Sequence, residues 1–126
     1  MGTPAQPGGT KERRALARSI AHNREFARIA SRLLDLDLSP RSRQLLAAGL
    51  ILATAQAHRL AALGVDLSAP VAPAMEQNRL IARIAGLLLD DRPTVLAAYL
   101  LALAAVELNE QFHALALVAR IRQQKG

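Results

Sequence analysis

Apolar residues recur along this chain at helical spacing, in four blocks separated by three breaks. In the first block Leu16, Ile20, Ala27, Ala30 and Leu34 share one side of a helix. Arg14, Arg18, Arg24, Arg28 and Arg32 fall opposite them, within a sector about 120° wide. The pattern predicts helix 1 over residues 11–34. The "DLDLSP" stretch ends it, with Ser39 as a cap and Pro40 at the first position of helix 2. Helix 2 is expected over 40–63, with Gly64 as a left-handed residue just past its end. "GVDLSAPVAP" then reads as an extended linker. Helix 3 follows over 74–89, "DDRPT" stops it, and helix 4 runs over 93–123. The expected organisation is a flexible tail at 1–10 and one domain at 11–126. That domain comprises hairpin A at 11–64, a linker at 65–73 and hairpin B at 74–126.

The polar positions repeat as well as the apolar ones. Segment 23–35 reads NREFARIASRLLD and segment 78–90 reads NRLIARIAGLLLD, identical at nine of thirteen positions. Slid by 55 without a gap, residues 23–62 match 78–117 at 16 of 40 positions, where composition alone gives about four. Matching leucines would follow from any two amphipathic hairpins. Matching Asn, Arg, Asp, Gln and His residues would not. The repeating unit is therefore a helical hairpin present twice. Its short internal loops make neighbouring helices antiparallel. A hairpin cannot bury its own apolar face, so its twin is the natural cover. The expected fold is all-α: a four-helix bundle of two tandem hairpins, with pseudo-twofold symmetry.

Composition supports that class. Ala (26 residues) and Leu (23) have low helix costs, and the only aromatics are Phe26, Tyr99 and Phe112. There is no cysteine, which excludes disulfides and thiolate zinc sites and fits a reducing compartment. The first ten residues lack the apolar core of a secretory signal. The apolar runs at 44–58 and 95–106 fall short of the ~20 residues of a bilayer span. A cytoplasmic protein without a transmembrane segment is expected. Helices 2 and 4 nonetheless carry apolar residues on more sides than one core face uses, which points to a homo-oligomer.

Charge sharpens the picture in one place. Residues 1–63 carry ten Arg or Lys against four acids, while residues 64–126 carry six against six. The whole excess of +6 thus lies in the first half, around the arginines of helix 1, with Arg41 and Arg43 opening helix 2 nearby. A row of guanidiniums suits a phosphate backbone, an anionic lipid surface or an acidic partner helix. Glu12, Glu25 and Asp35 would offset part of it. No aromatics interleave with the arginines, so stacking on unpaired bases is not indicated. The candidate site for a polyanion such as nucleic acid, or for an acidic protein, is Arg14, Arg18, Arg24, Arg28, Arg32, Arg41 and Arg43. A second anion pocket, flanked by Arg28 and its repeat partner Arg83, is also conceivable from the repeat.

Other chemistry is sparse. Glu110 and His113 form an E-x-x-H pair with Glu107 one turn earlier, so a metal site on helix 4 is the alternative reading. Di-iron carboxylate bundles use that motif from two helices. Here the residues 55 positions before Glu110 and Glu107 are Ala55 and Leu52, so a homodimer would have to supply the second motif, with Glu25 or Glu76 adding carboxylates. His58 and His113 repeat without a nucleophile beside them. Asp35 and Asp90 lie at the hairpin turns, where Asp suits capping. No phosphate loop or nucleophile elbow is present, no cofactor is implied, and enzyme activity is not indicated. Idealised artificial bundles fill their surfaces with Glu and Lys. Five Glu and two Lys against fourteen Arg argue against that origin.

Overall fold

The computed structural model describes residues 7–125 as four helices: α1 (Pro7–Leu34), α2 (Pro40–Val65), α3 (Ala72–Asp90) and α4 (Val95–Lys125). No strand occurs among the described residues. Each helix packs on two others in a closed ring, α1 against α2 and α4, and α3 against the same two. The remaining pairs, α1 with α3 and α2 with α4, are diagonal.

The helix ends differ from the sequence expectation in ways that have local causes. Helix α1 starts at Pro7, so residues 7–10 are helical; residues 1–6 of the expected tail lie outside the described residues. Proline is favoured in a first turn, and each glycine after it costs only about 1 kcal/mol of helix propensity. Gly64 is not left-handed, for no glycine among the described residues has positive φ. Helix α2 instead continues to Val65, and the Asp66 backbone N–H closes it on the Ala62 carbonyl. The Asp66 carboxylate then accepts from the Ser68 N–H and hydroxyl, holding its carboxyl below its ordinary value. The connection is therefore 66–71, tighter than the extended 65–73 linker.

Ser39 caps α2 as the sequence indicates, accepting from the Ser42 N–H at 3.0 Å. Thr94 does the same for α4, accepting from the Ala97 N–H at 3.2 Å. Neither Asp35 nor Asp90 plays the capping part expected of it. Asp91 instead closes α3, its N–H donating to the Leu88 carbonyl, and its carboxylate accepts from the hydroxyls of Ser39 and Ser42, tying the α3–α4 turn to the start of α2. Arg92 follows with φ of 50°, the one non-glycine residue with positive φ among those described.

The core has two apolar ends and a polar middle. Phe26, Ile29, Leu33, Leu46, Ile81 and Leu101 belong to the cluster at the hairpin-turn end. Leu16, Leu60, Leu63, Val71, Leu115 and Val118 belong to the cluster at the 66–71 end. Between them lie Ser19, Asn23, Gln56, Asn78 and Gln111, all buried. Asn23 Nδ2 donates to the Ala53 carbonyl at 3.0 Å, and Asn78 Nδ2 donates to the Leu108 carbonyl at 2.9 Å. Gln56 Nε2 donates to the Ala74 carbonyl at 2.7 Å, and Gln111 Nε2 donates to that of Ser19 at 2.9 Å. In the Asn pair, donor and acceptor both shift by 55 positions. In the Gln pair the acceptor shifts by the same interval in the opposite direction, because each glutamine reaches into the other hairpin.

Candidate functional site

The arginine face of α1 is built by exclusion. With Leu16, Phe26, Ile29, Ala30 and Leu33 turned into the core, the long cationic side chains must occupy the opposite side. Arg14, Arg18, Arg24, Arg28 and Arg32 are all exposed. From Arg14 to Arg32 the row extends ~27 Å along the helix axis. Arg28 pairs with Glu25 at 3.2 Å, with both side chains well exposed. Arg14, Arg18, Arg24 and Arg32 make no ion pair within the described residues.

Two of the residues grouped with this face have different surroundings. Arg41 is exposed at the start of α2, whereas Arg43 folds back and donates to the carbonyls of Leu34 and Leu36 at 3.4 and 3.0 Å. It thereby satisfies open carbonyls at the end of α1. Glu12 does not offset the arginine row. It is buried and pairs with Arg122 of α4, which also donates to the carbonyls of Ala69 and Leu63. Of the acids counted against the face, Glu25 alone makes an ion pair on it. Arg28 and Arg83 lie exposed on the diagonal helices α1 and α3, which do not pack on each other.

The Glu107, Glu110 and His113 cluster is divided. Glu107 Oε2 lies 2.7 Å from His22 Nδ1 of α1, a partner that sequence spacing does not reveal. Glu110 and His113 border a shallow pocket with His22 and Arg18. Among the described residues no three His, Cys, Asp or Glu side chains gather to hold a metal ion. The Arg18 guanidinium at the pocket also opposes a cation there. His58 is exposed on α2.

The remaining features are structural or apolar. The hydroxyls of Ser39 and Ser42 hold the Asp91 carboxyl below its ordinary value. A cavity of about 100 Å³ lies beneath that carboxylate, floored by Leu33, Leu46, Leu88 and Leu101. A groove between α3 and α4 is lined by Ala82, Gly86, Leu89 and Ala105, with the Arg79 guanidinium 5.2 Å above the Phe112 ring. Helices α2 and α4 each contain an 18-residue window of mean hydropathy 1.3, long and apolar enough by length and composition to cross a membrane. Much of each window packs into the core, and the large apolar side chains left exposed include Ile51 on α2 and Leu96, Tyr99, Leu103 and Val106 on α4. The chain matches no protein-family model, no curated protein and no solved structure.

Proposed function

We propose that this chain is a non-enzymatic binding module: an internally duplicated, pseudo-twofold four-helix bundle that presents the outer face of α1 to a polyanion. The observation that carries the binding reading is the row Arg14, Arg18, Arg24 and Arg32, exposed and without ion pairs in the described chain. Four guanidiniums on one helix face have no intramolecular ion pair to break on meeting phosphates, and each can form a bidentate contact. The duplication is supported by the two Asn-to-carbonyl and two Gln-to-carbonyl bonds, whose donors are 55 positions apart.

Titration of a labelled duplex and of inorganic polyphosphate with the protein tests the binding. Charge reversal of Arg24, Arg28 and Arg32 should abolish binding while helical content stays unchanged. Affinity for the duplex should fall steeply between 50 and 200 mM salt, with a slope of about −0.9 per phosphate neutralised. Binding that survives either change would remove the arginine face from consideration.

Self-association is the second reading, and the outer face of α2 favours it. From Gln44 to His58 that helix carries no charge, and Ile51 stands 69% exposed among Ala47, Ala48 and Thr54. A second copy laid over this face would remove it from water. Light scattering on Ile51→Glu tests this: a dimer that becomes a monomer supports the reading, and an unchanged mass refutes it.

A further inference from the structure

We infer that the polyanion is an anionic bilayer surface, engaged by α1 and α4 together; this rests on the polyanion reading above. On α1, Arg14, Arg18 and Arg32 lie within about 40° of one another around the helix. On α4, Leu96, Tyr99, Leu103 and Leu117 lie within about 60°. Arg14 and Arg18 line one pocket with Leu117, which brings the two rows side by side at that level. The helices are antiparallel, because Glu12 meets Arg122 and His22 meets Glu107. The guanidinium row and the apolar row therefore run together, with Arg32 level with the Leu96 end.

Leu96 is 55% exposed, Tyr99 61% and Leu103 39%, and nothing in the described chain covers them. An apolar strip beside a cationic strip matches the layering of a membrane interface. Leucine and tyrosine enter the headgroup and acyl boundary while arginine reaches anionic headgroups. The acids of this face are Glu25, paired with Arg28, Glu110, beside Arg18, and the part-buried Glu107, paired with His22 at the seam between the two rows.

The rival occupants fit less of this face. A nucleic-acid duplex offers its phosphates to the arginines but gives no apolar layer to the α4 row. A second copy docked isologously through the same face would oppose the two guanidinium rows if the α4 helices ran antiparallel. It would set Glu110 against its own copy if they ran parallel.

The chain holds one tyrosine and no tryptophan, so Tyr99→Trp is a single optical reporter on the apolar row. The experiment is vesicle sedimentation with phosphatidylglycerol–phosphatidylcholine mixtures and with phosphatidylcholine alone, with the indole emission of the Tyr99→Trp variant followed in parallel. Binding is expected only to anionic vesicles, with a blue shift of the emission. Arg14→Gln, Arg18→Gln and Arg32→Gln together should weaken it about 100-fold, at roughly fivefold per arginine. Leu96→Ser and Leu103→Ser should each weaken it by roughly tenfold. All five positions are solvent-facing, and circular dichroism confirms that each variant is folded.

Binding to polyphosphate or duplex without binding to anionic vesicles would overturn the lipid assignment and leave the polyanion reading standing. Failure to bind any of these probes would overturn both. Vesicle binding without a blue shift, or unaffected by the leucine changes, would also overturn it, since charge alone would then account for attachment.

Discussion

Gln56 and Gln111 meet across the diagonal of the fold, the Nε2 of Gln56 donating to the Oε1 of Gln111 at 3.2 Å, with neither side chain reaching solvent. Gln111 Oε1 accepts a second bond from Asn78 Nδ2 at 3.0 Å, and its own amide donates to the Ser19 carbonyl. One side chain thus joins α1, α2, α3 and α4 at the level where the two apolar clusters are separated. The satisfaction is uneven. Ser19 Oγ, Asn23 Oδ1 and Gln56 Oε1 are buried without a partner, and all three belong to the first half of the chain.

Gln111→Ala should therefore be among the most destabilising single changes in the core, by about 3 kcal/mol, because it removes three buried hydrogen bonds, to Gln56, Asn78 and the Ser19 carbonyl, and leaves a cavity. Gln56→Ala should cost less, since it removes fewer bonds and one of the orphaned oxygens. Urea denaturation midpoints of the two variants decide the order. The double variant Gln56→Leu, Gln111→Leu should lie above the sum of its parts, because removing both amides leaves fewer groups unpaired.

Ser19→Ala and Gly49→Ala test the repeat at the level of single residues. The residues 55 positions later are Ala74 and Ala104, so each change installs what the other half already carries. Alanine at 19 removes a buried hydroxyl with no partner. A Cβ at 49 would meet Ile84 Cγ2 at 3.6 Å and Phe26 Cζ at 3.9 Å, ordinary contact distances. Both variants should be as stable as the parent or gain up to about 1 kcal/mol. A loss at either position, read from thermal or urea unfolding, would mean that the two halves pack differently there.

Arg122 latches the 66–71 end, where its guanidinium meets Glu12 and the carbonyls of Leu63 and Ala69. Arg122→Met leaves the buried Glu12 carboxylate without this counter-ion and should cost about 3–5 kcal/mol. Glu12→Gln with Arg122→Met should recover part of that loss. A double-mutant cycle by chemical denaturation measures the coupling.

Asp91 sets a pH dependence. Its carboxyl is held below the ordinary value of 3.8, first by the Ser39 hydroxyl and then by that of Ser42. A carboxyl lowered on folding contributes stability above its unfolded pKa, and that contribution is lost as pH falls through the folded value. Asp91→Asn should therefore be less stable than the parent at pH 7, and the gap should close below about pH 4. Melting temperatures at pH 7 and pH 3 provide the check; a gap that is constant or widens in acid would contradict it.

Much of this was legible from residue order. The period of Leu and Ala predicts four helices, and Ser39 and Pro40 mark a start that the structure keeps. The arginine face follows from helical phase alone, because all five α1 positions are set by the apolar residues opposite them. What residue order hides are contacts between distant segments. Glu12 looks like an offset to the arginines until Arg122, 110 positions away, is seen to face it. Glu107 resembles a metal ligand until His22 is found beside it on another helix. Arg43 has the same charge as Arg41, and only the position of the α1 carbonyls separates their roles. The helix ends moved because Pro7 and Asp66 supply terminal geometry that the glycines nearby argue against.

The ring order has a consequence for biosynthesis. Helix α1 shares its largest contact with α4, which leaves the ribosome after α2 and α3. At ordinary elongation rates α4 starts to emerge roughly 3–12 s after α1 is complete. During that interval α2 covers one flank of α1, and the flank bearing Ser19 and His22, which meets Gln111 and Glu107 of α4, waits uncovered. The partner face of α1 is thus exposed for seconds on the nascent chain before α4 can cover it.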